Sequence, residues 1–257
     1  MRRILLCAGV NGRQKALQWL RAAVQARQPD GIFFAGGVLS EGRQYTARDG
    51  TCWGMTFDDA LFVERFFATL GGLGEPPVFC AVIPGPMDTP LTDFLRMGMH
   101  AETEFPNVHL VHGCLVTERD VAVCGMGGVL CDGPACENGA CSRVLAEYHL
   151  RSLWSAKQPR RALLLPTPPT GSLGGPAGRA MIGELIDSIH PALCVAAGPS
   201  ATRGSQRVAG TLIVNPGELA CGWAALIDWQ LPLEDQVEHL DLRALGRVGC
   251  VEVGVGD

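Results

Sequence analysis

Polar side chains follow the ends of several predicted strands, which is where open α/β sheets bind their ligands. Backbone amides at the starts of the helices predicted after Gly12 and Pro90 favour an anion at the same edge. This pattern suggests the hypothesis that a nucleotide or another phosphate-bearing ligand binds there without being cleaved. The residues expected to line this polar cleft are Asn11, Arg13, Asp88, Thr167, Ser200 and Arg203.

A second group of residues able to carry chemistry is the cysteine-rich segment CGMGGVLCDGPACENGACSR. Cys131, Cys136 and Cys141 are spaced so that they approximate half of a structural zinc site, in which thiolates lie a few residues apart. A disulfide or redox pair and a plain exposed loop are the alternative interpretations. Because Cys136 and Cys141 lie near a predicted helix N-terminus, we expect a lowered pKa for one of these thiols.

Other catalytic signatures are incomplete. The segment 198–202 lacks the last glycine of a G-x-S-x-G nucleophile elbow and has Pro199 beside the serine, which disfavours a serine hydrolase. Neither a G-x-G-x-x-G motif nor a Walker loop follows a predicted strand. Glu218 and the pair Glu102 and Glu104 are expected to be solvated or capping carboxylates.

Apolar strands and periodic helices alternate through the first part of the chain, which is the pattern of a sheet with crossover helices. Thr56 and Asp59 resemble a capping box, which predicts a helix from there to Leu70 with Gly71 just past its end. A later helix is predicted to stop before Pro106. The other elements predicted in this part are strands at 4–8, 32–35 and 78–83 and helices near 17–24 and at 91–104.

The architecture is predicted to change after Pro106. The segments that follow it have the pattern of short antiparallel strands, and the helical period nearly disappears after position 200. This pattern indicates a second, more antiparallel sheet. The predicted strands lie at 108–111, 115–117, 121–125, 162–165, 193–197, 211–214, 224–228 and 248–253, and the predicted helices at 142–156 and 177–189.

The chain has 257 residues, of which 47% are hydrophobic, and its formal net charge is -5. This length and composition predict a single domain over residues 1–257. The negative charge disfavours a nucleic-acid partner, and no apolar segment reaches the length of a membrane span. Several of the 11 cysteines lie in apolar segments, which fits a reducing compartment, so we expect a cytoplasmic protein.

The predicted strands end in a series of short turns. These turns read Gly9-Val10-Asn11-Gly12, Gly36-Gly37, 84–88 (PGPMD), 166–169 (PTPP) and 197–201 (AGPSA). The series resembles the calcineurin-like metallophosphoesterase superfamily over nearly the whole chain. In that family the corresponding motifs are D-x-H-G, G-D, G-N-H-D, a histidine before P-P, and G-H-x-H. The resemblance implies an α/β fold, a four-layer αββα sandwich of two mixed β-sheets flanked by helices.

Most of the positions at which that family supplies metal ligands hold other residue types here. Glycine, proline, methionine and alanine offer no lone pair suited to Mn²⁺, Fe or Zn²⁺. Asn11 and Asp88, the last residue of the G-N-H-D motif, cannot by themselves hold two divalent ions. The positions that depart from the family pattern are Gly9, Asn11, Gly37, Pro86, Met87, Pro199 and Ala201.

The resemblance implies two divalent metals such as Mn, Fe or Zn and a phosphatase or phosphodiesterase activity. Because the ligands are replaced, we expect no cofactor and a non-catalytic binding or regulatory pseudoenzyme formed by one metallophosphoesterase-like domain. Its expected partner is an unidentified protein or a small phosphate-bearing ligand, and the apolar composition is compatible with a homodimer. The alternatives are a metal-dependent phosphoesterase with other ligands, for which His112, His149 and Asp187 are candidates, and a zinc or redox interaction module at the cysteine-rich segment.

Overall fold

Alternating apolar segments of the chain form the strands and helices of this computed structural model, which describes residues 1–40, 44–46, 52–133 and 140–245. The strands are β1 (Arg3–Cys7), β2 (Gly31–Phe34), β3 (Gln44–Thr46), β4 (Cys52–Met55), β5 (Phe79–Val82), β6 (Val108–Leu110), β7 (Val116–Glu118), β8 (Val121–Gly125), β9 (Leu130–Cys131), β10 (Cys141–Ser142), β11 (Arg160–Leu165), β12 (Leu193–Ala196), β13 (Gly204–Val208), β14 (Thr211–Asn215), β15 (Trp223–Asp228) and β16 (Val237–Asp241). The helices are α1 (Gln14–Arg27), α2 (Phe57–Gly71), α3 (Leu91–Glu104), α4 (Arg143–Trp154), α5 (Ala180–Ile189) and α6 (Leu242–Leu245).

The first large sheet has the strand order β16-β15-β1-β2-β5-β6. Strands β1, β2, β5 and β6 run parallel, whereas β15 is antiparallel to β1. The antiparallel direction predicted for segment 108–111 is therefore wrong, because α3 forms a crossover that brings β6 back parallel to β5. The carboxyl ends of β1, β2 and β5 consequently lie at one edge of the sheet.

The second large sheet has the order β13-β14-β12-β11-β8-β7. Its four middle strands are parallel, and β13 and β7 are antiparallel edge strands. The predicted antiparallel pair at 115–117 and 121–125 is confirmed as β7 and β8. The prediction of a second, more antiparallel sheet is wrong, since β14 joins the parallel strands and β15 and β16 extend the first sheet. The strand predicted at 248–253 lies outside the described residues.

Successive residues of each strand face opposite layers. In β1, Leu5 packs with the helices outside the first sheet, whereas Ile4 and Leu6 pack against the second sheet. In β11, Leu164 faces the first sheet and Leu163 packs with α4 and α5. The layers therefore follow the order helix, sheet, sheet, helix, which confirms the predicted αββα sandwich.

Helix α2 begins where the capping pattern predicts. The Thr56 hydroxyl accepts a hydrogen bond from the Asp59 amide at 3.4 Å and donates one to the Asp59 carboxylate at 2.6 Å. The helix predicted at 91–104 is confirmed as α3, whereas the one predicted at 177–189 begins only at Ala180, because Gly175–Ala177 form a separate 3-10 turn. Within the described ranges, every helix is too short or too polar to cross a lipid bilayer.

Candidate functional site

A cleft of about 380 Å³ opens where the carboxyl ends of parallel strands from both sheets meet. The turns after β1, β2 and β5 line one side, and the turns after β8, β11 and β12 line the other. Its apolar side chains include Leu39, Met87, Val129 and Leu130, together with several prolines. The polar and charged side chains that line it are Asn11, Thr167, Arg179 and Glu218.

The turns after β1 and β2 pack backbone against backbone in the wall of this cleft. The Gly9 amide donates to the Gly36 carbonyl at 2.9 Å, and the Asn11 amide donates to the Gly37 carbonyl at 3.0 Å. Gly9 and Gly37 have φ values of +64° and +80°, which favour glycine. A Cβ atom on Gly37 would lie 3.0 Å from the Gly9 Cα, so a side chain there requires the neighbouring turn to shift by a few tenths of an ångström.

Asp88 joins the turn after β5 to the turn after β2. Its side chain is fully buried, and its Oδ2 accepts hydrogen bonds from the amides of Gly85, Gly37 and Val38 at 2.6, 3.1 and 3.2 Å. Its Oδ1 accepts one from the Leu39 amide at 2.7 Å. Burial raises the pKa of Asp88, and these four amides act against that shift. Both carboxylate oxygens are therefore engaged in holding the turns together.

Glu218 lies in the wall of the cleft, directly after the turn that follows β14. Its Oε1 accepts a hydrogen bond from the Asn11 side-chain amide at 2.9 Å. Its Oε2 accepts bonds from the Ser200 hydroxyl at 2.9 Å and from the Ser200 amide at 3.3 Å. The sequence prediction of a solvated or capping carboxylate is therefore wrong. The position of Glu218 after a strand end is the sequence signal that could have placed it at the cleft. The pattern Asn215-Pro216-Gly217 just before it predicts only a turn.

The residues expected to line a polar cleft occupy different depths. Asn11 and Thr167 line the cleft, as described above. Asp88 is buried beneath the turns, and Ser200 lies outside the lining but bonds Glu218, which belongs to it. The structure thus brings four of the six residues to this edge of the sheets, two of them in the lining.

The two arginines of that set lie outside the cleft lining. Arg13 is exposed and donates through Nη1 to the Ala220 carbonyl at 3.5 Å. Arg203 stacks on Trp223, with its Cζ 3.8 Å from the ring centroid. The cation that lines the cleft is instead Arg179, an exposed residue whose Nη1 is 3.9 Å from the Asp132 carboxylate. The first residues of α1 and α3, beside which the sequence predicts an anion, also lie outside the cleft lining.

The two divalent ions implied by the family resemblance do not fit these residues. In the described ranges, no group of three or more histidine, cysteine, aspartate or glutamate side chains is arranged to hold a metal. The His112 Nδ1 accepts a hydrogen bond from the Gly127 amide at 2.9 Å, and burial, followed by the neighbouring His149, lowers the pKa of His112. Asp187 is exposed on α5, and none of these three substitute ligands lines the cleft.

The cysteine-rich segment does not form the expected three-thiolate site. Cys131 is disulfide-bonded, Cys141 is a free thiol, and Cys136 lies outside the described residues. The structure therefore agrees with the disulfide alternative at Cys131, and a disulfide sulfur is not a thiolate ligand for zinc. Burial raises the pKa of Cys141, contrary to the lowering expected from a helix N-terminus.

Comparisons with known proteins agree with the fold. A family model described as metallophosphoesterase, calcineurin superfamily, matches residues 1–238. The crystal structure of TT1561 of Thermus thermophilus superposes with a TM-score of 0.76 at 24% identity, over 94% of this chain and 99% of that one. A second crystal structure matches over the same shares, with a TM-score of 0.77 at 25% identity. No curated protein matches the chain.

A more distant solved structure is the 5'-nucleotidase from Candida albicans SC5314. It superposes with a TM-score of 0.53 at 9% identity, over 95% of this chain and 54% of that one. At this identity the likeness concerns the fold alone.

Proposed function

We propose that this chain, which belongs to the calcineurin superfamily of metallophosphoesterases, is a catalytically degenerate member that binds a ligand or regulates a partner and does not hydrolyse phosphoesters. The observation that carries this proposal is the contact between the turns at Gly9 and Gly37. At these two positions the family resemblance places aspartates, and here a Cβ atom added at either glycine would lie only 3.0 Å from a neighbouring atom.

A two-metal phosphoesterase needs several oxygen and nitrogen ligands to hold its cations a few ångströms apart and to acidify a bound water. In the cleft, Glu218 supplies a carboxylate that is already hydrogen-bonded to Asn11 and Ser200. Asp88 is turned toward backbone amides. This donor set supports binding rather than metal-dependent catalysis.

The charge of the cleft also bears on the partner. Of the two partner classes expected from the sequence, a phosphate-bearing ligand is disfavoured, because the Glu218 carboxylate in the wall repels an anion in a partly desolvated site. We propose that the protein acts in the cytoplasm, apart from nucleic acid and membranes. The net charge of -5 supports the absence of a nucleic-acid partner, and the free thiols of the buried residues Cys7, Cys80 and Cys194 agree with a reducing compartment, whereas the disulfide at Cys131 does not.

The proposal is tested by measuring metal content and hydrolysis together. Purified, untagged protein is incubated with Mn²⁺ and Zn²⁺, freed of excess ion, and analysed by elemental mass spectrometry, and a parallel sample is assayed with bis(p-nitrophenyl) phosphate. We expect no metal at the cleft and no turnover above that of the buffer. About two ions per chain together with hydrolysis, both lost in Glu218→Ala, would overturn the proposal.

A further inference from the structure

We propose that the cleft is a binding site for a small organic cation, an amine or guanidine attached to an apolar body, with Glu218 as its counter-ion. This inference rests on the proposed function, because a dinuclear metal centre would occupy the same edge of the two sheets.

Glu218 is held in place before any ligand arrives. The Ser200 amide and hydroxyl both donate to its Oε2, and Asn11 donates to its Oε1. Asn11 is itself fixed, because its backbone amide bonds the Gly37 carbonyl at 3.0 Å. A carboxylate fixed in this way loses little conformational freedom when it binds a donor, which favours affinity.

One acceptor position of this carboxylate is available to a ligand. Each carboxylate oxygen accepts about two hydrogen bonds. Among the described residues, Oε1 receives one bond, from Asn11. A ligand N–H group that approaches from the cleft can therefore bond Oε1 without displacing a protein donor.

The charges around the cleft select a cation. Glu218 is the acidic side chain in the described lining, and Arg179 is the basic one. Arg179 is exposed at the rim and is near the Asp132 carboxylate, so solvent and that carboxylate both weaken its field. Glu218 is only partly exposed, so solvent screens its charge less than it screens the charge of Arg179.

The remaining walls fit an apolar body. Leu39 and Leu130 are buried residues of the lining, and the lining residues Met87 and Val129 are each 47% exposed. The volume of about 380 Å³ suits a small molecule. An apolar group that covers Met87 and Val129 gains hydrophobic stabilisation while its cationic end reaches Glu218.

The test uses three probes of one shape that differ in charge. Phenethylamine, 2-phenylethanol and phenylacetate are titrated into the full-length protein by isothermal titration calorimetry, with inorganic phosphate as a fourth probe. We expect phenethylamine to bind at least about tenfold more tightly than the alcohol, and phenylacetate and phosphate to show no binding. This comparison uses the unmodified protein, so it decides the question even if a variant fails to fold.

The matched variants are Glu218→Gln and Glu234→Gln. Glu218→Gln is expected to weaken phenethylamine binding by about tenfold or more, because it removes the charge and replaces one acceptor oxygen with an NH₂ donor. Glu234 is exposed and outside the cleft lining, so Glu234→Gln controls for the change in net charge and should bind as the unmodified protein does.

Phenylacetate binding as tight as phenethylamine, an affinity unchanged in Glu218→Gln, or no amine binding would each overturn this inference. None of these results involves metal uptake or hydrolysis, whose appearance would instead overturn the proposed function.

Discussion

The Asp88 carboxylate accepts a hydrogen bond from the backbone amide of Gly37 at 3.1 Å, although the two residues belong to turns that follow different strands. Through this bond and those from Gly85, Val38 and Leu39, one buried side chain satisfies amides of two turns. Asp88 therefore has a structural role that does not depend on a metal. This role accounts for an aspartate beside Pro86 and Met87.

Replacing Asp88 with asparagine should strongly destabilise the fold. The new NH₂ group would face backbone N–H donors, leaving buried amides unsatisfied. We expect Asp88→Asn to lower the free energy of unfolding in urea by about 3 kcal/mol. Asp187→Asn, an exposed change on α5, is the control and should have no measurable effect. A loss below about 0.5 kcal/mol in Asp88→Asn would contradict the structural role.

The close packing of the strand-end turns is tested by Gly37→Ala. Gly37 and Gly210 have φ values of +80° and +89°, so alanine is strained at both. A Cβ atom on Gly210 meets nothing within 4 Å, whereas one on Gly37 meets the Gly9 backbone at 3.0 Å. Gly37→Ala should therefore lower the free energy of unfolding, measured with a chemical denaturant, by about 1–3 kcal/mol more than Gly210→Ala does. Equal losses of unfolding free energy in the two variants would show that the turns have room for a side chain at Gly37.

Asp120 should give the protein a pH-dependent contribution to stability. Its carboxylate pairs with the Met1 ammonium and accepts a bond from Arg160 Nη1 at 2.6 Å. The Met1 ammonium holds the pKa of Asp120 below its usual range. A lowered folded-state pKa stabilises the fold above the unfolded-state pKa of about 4, and this contribution is lost as the pH falls through the folded-state value.

The measurement for Asp120 is the melting temperature of Asp120→Asn and of the unmodified protein between pH 7 and pH 3. The variant should melt at a lower temperature at pH 7, and the difference should shrink below about pH 4. Asp235→Asn, at an exposed turn, controls for the loss of a carboxylate. A difference that does not change with pH would mean that the ion pair does not account for the effect.

The free thiols should divide into two classes of reactivity. Cys114 and Cys221 are exposed, whereas Cys7, Cys80 and Cys194 are fully buried, and burial raises the pKa of these three thiols. Iodoacetamide should therefore label the first two in the native protein and the other three only after unfolding. Peptide mass spectrometry measures this, and native labelling of Cys7 at the rate of Cys221 would be incompatible with the packed core.

The layers of the fold could be predicted because their signals are local. Strands such as β1 and helices such as α3 have clear apolar periods, and Thr56 caps α2 through neighbours in sequence. The direction of β6 and the sheet to which β15 belongs could not be predicted in the same way. Both depend on crossovers and on partners distant in sequence, which leave no local pattern.

The residues of the candidate site also divide into those that a local pattern predicts and those that depend on distant partners. Asn11 and Thr167 could be predicted because they follow strand ends directly. The sequence predicts only a solvated or capping role for Glu218, because its hydrogen-bond partners come from turns far away in sequence. The sequence predicts Arg203 in the cleft, but Arg203 stacks on Trp223. The two residues are 20 positions apart in sequence, and only the fold brings them together.

The contact between Gly9 and Gly37 also limits how descendants of this protein can evolve. A carboxylate at Gly37 would have to shift the Gly9 turn and take up a strained φ of +80°, so this single substitution is expected to reduce stability. If the site is catalytically degenerate, as proposed, the packing of these turns acts together with the missing side chains against the return of a metal centre by one substitution.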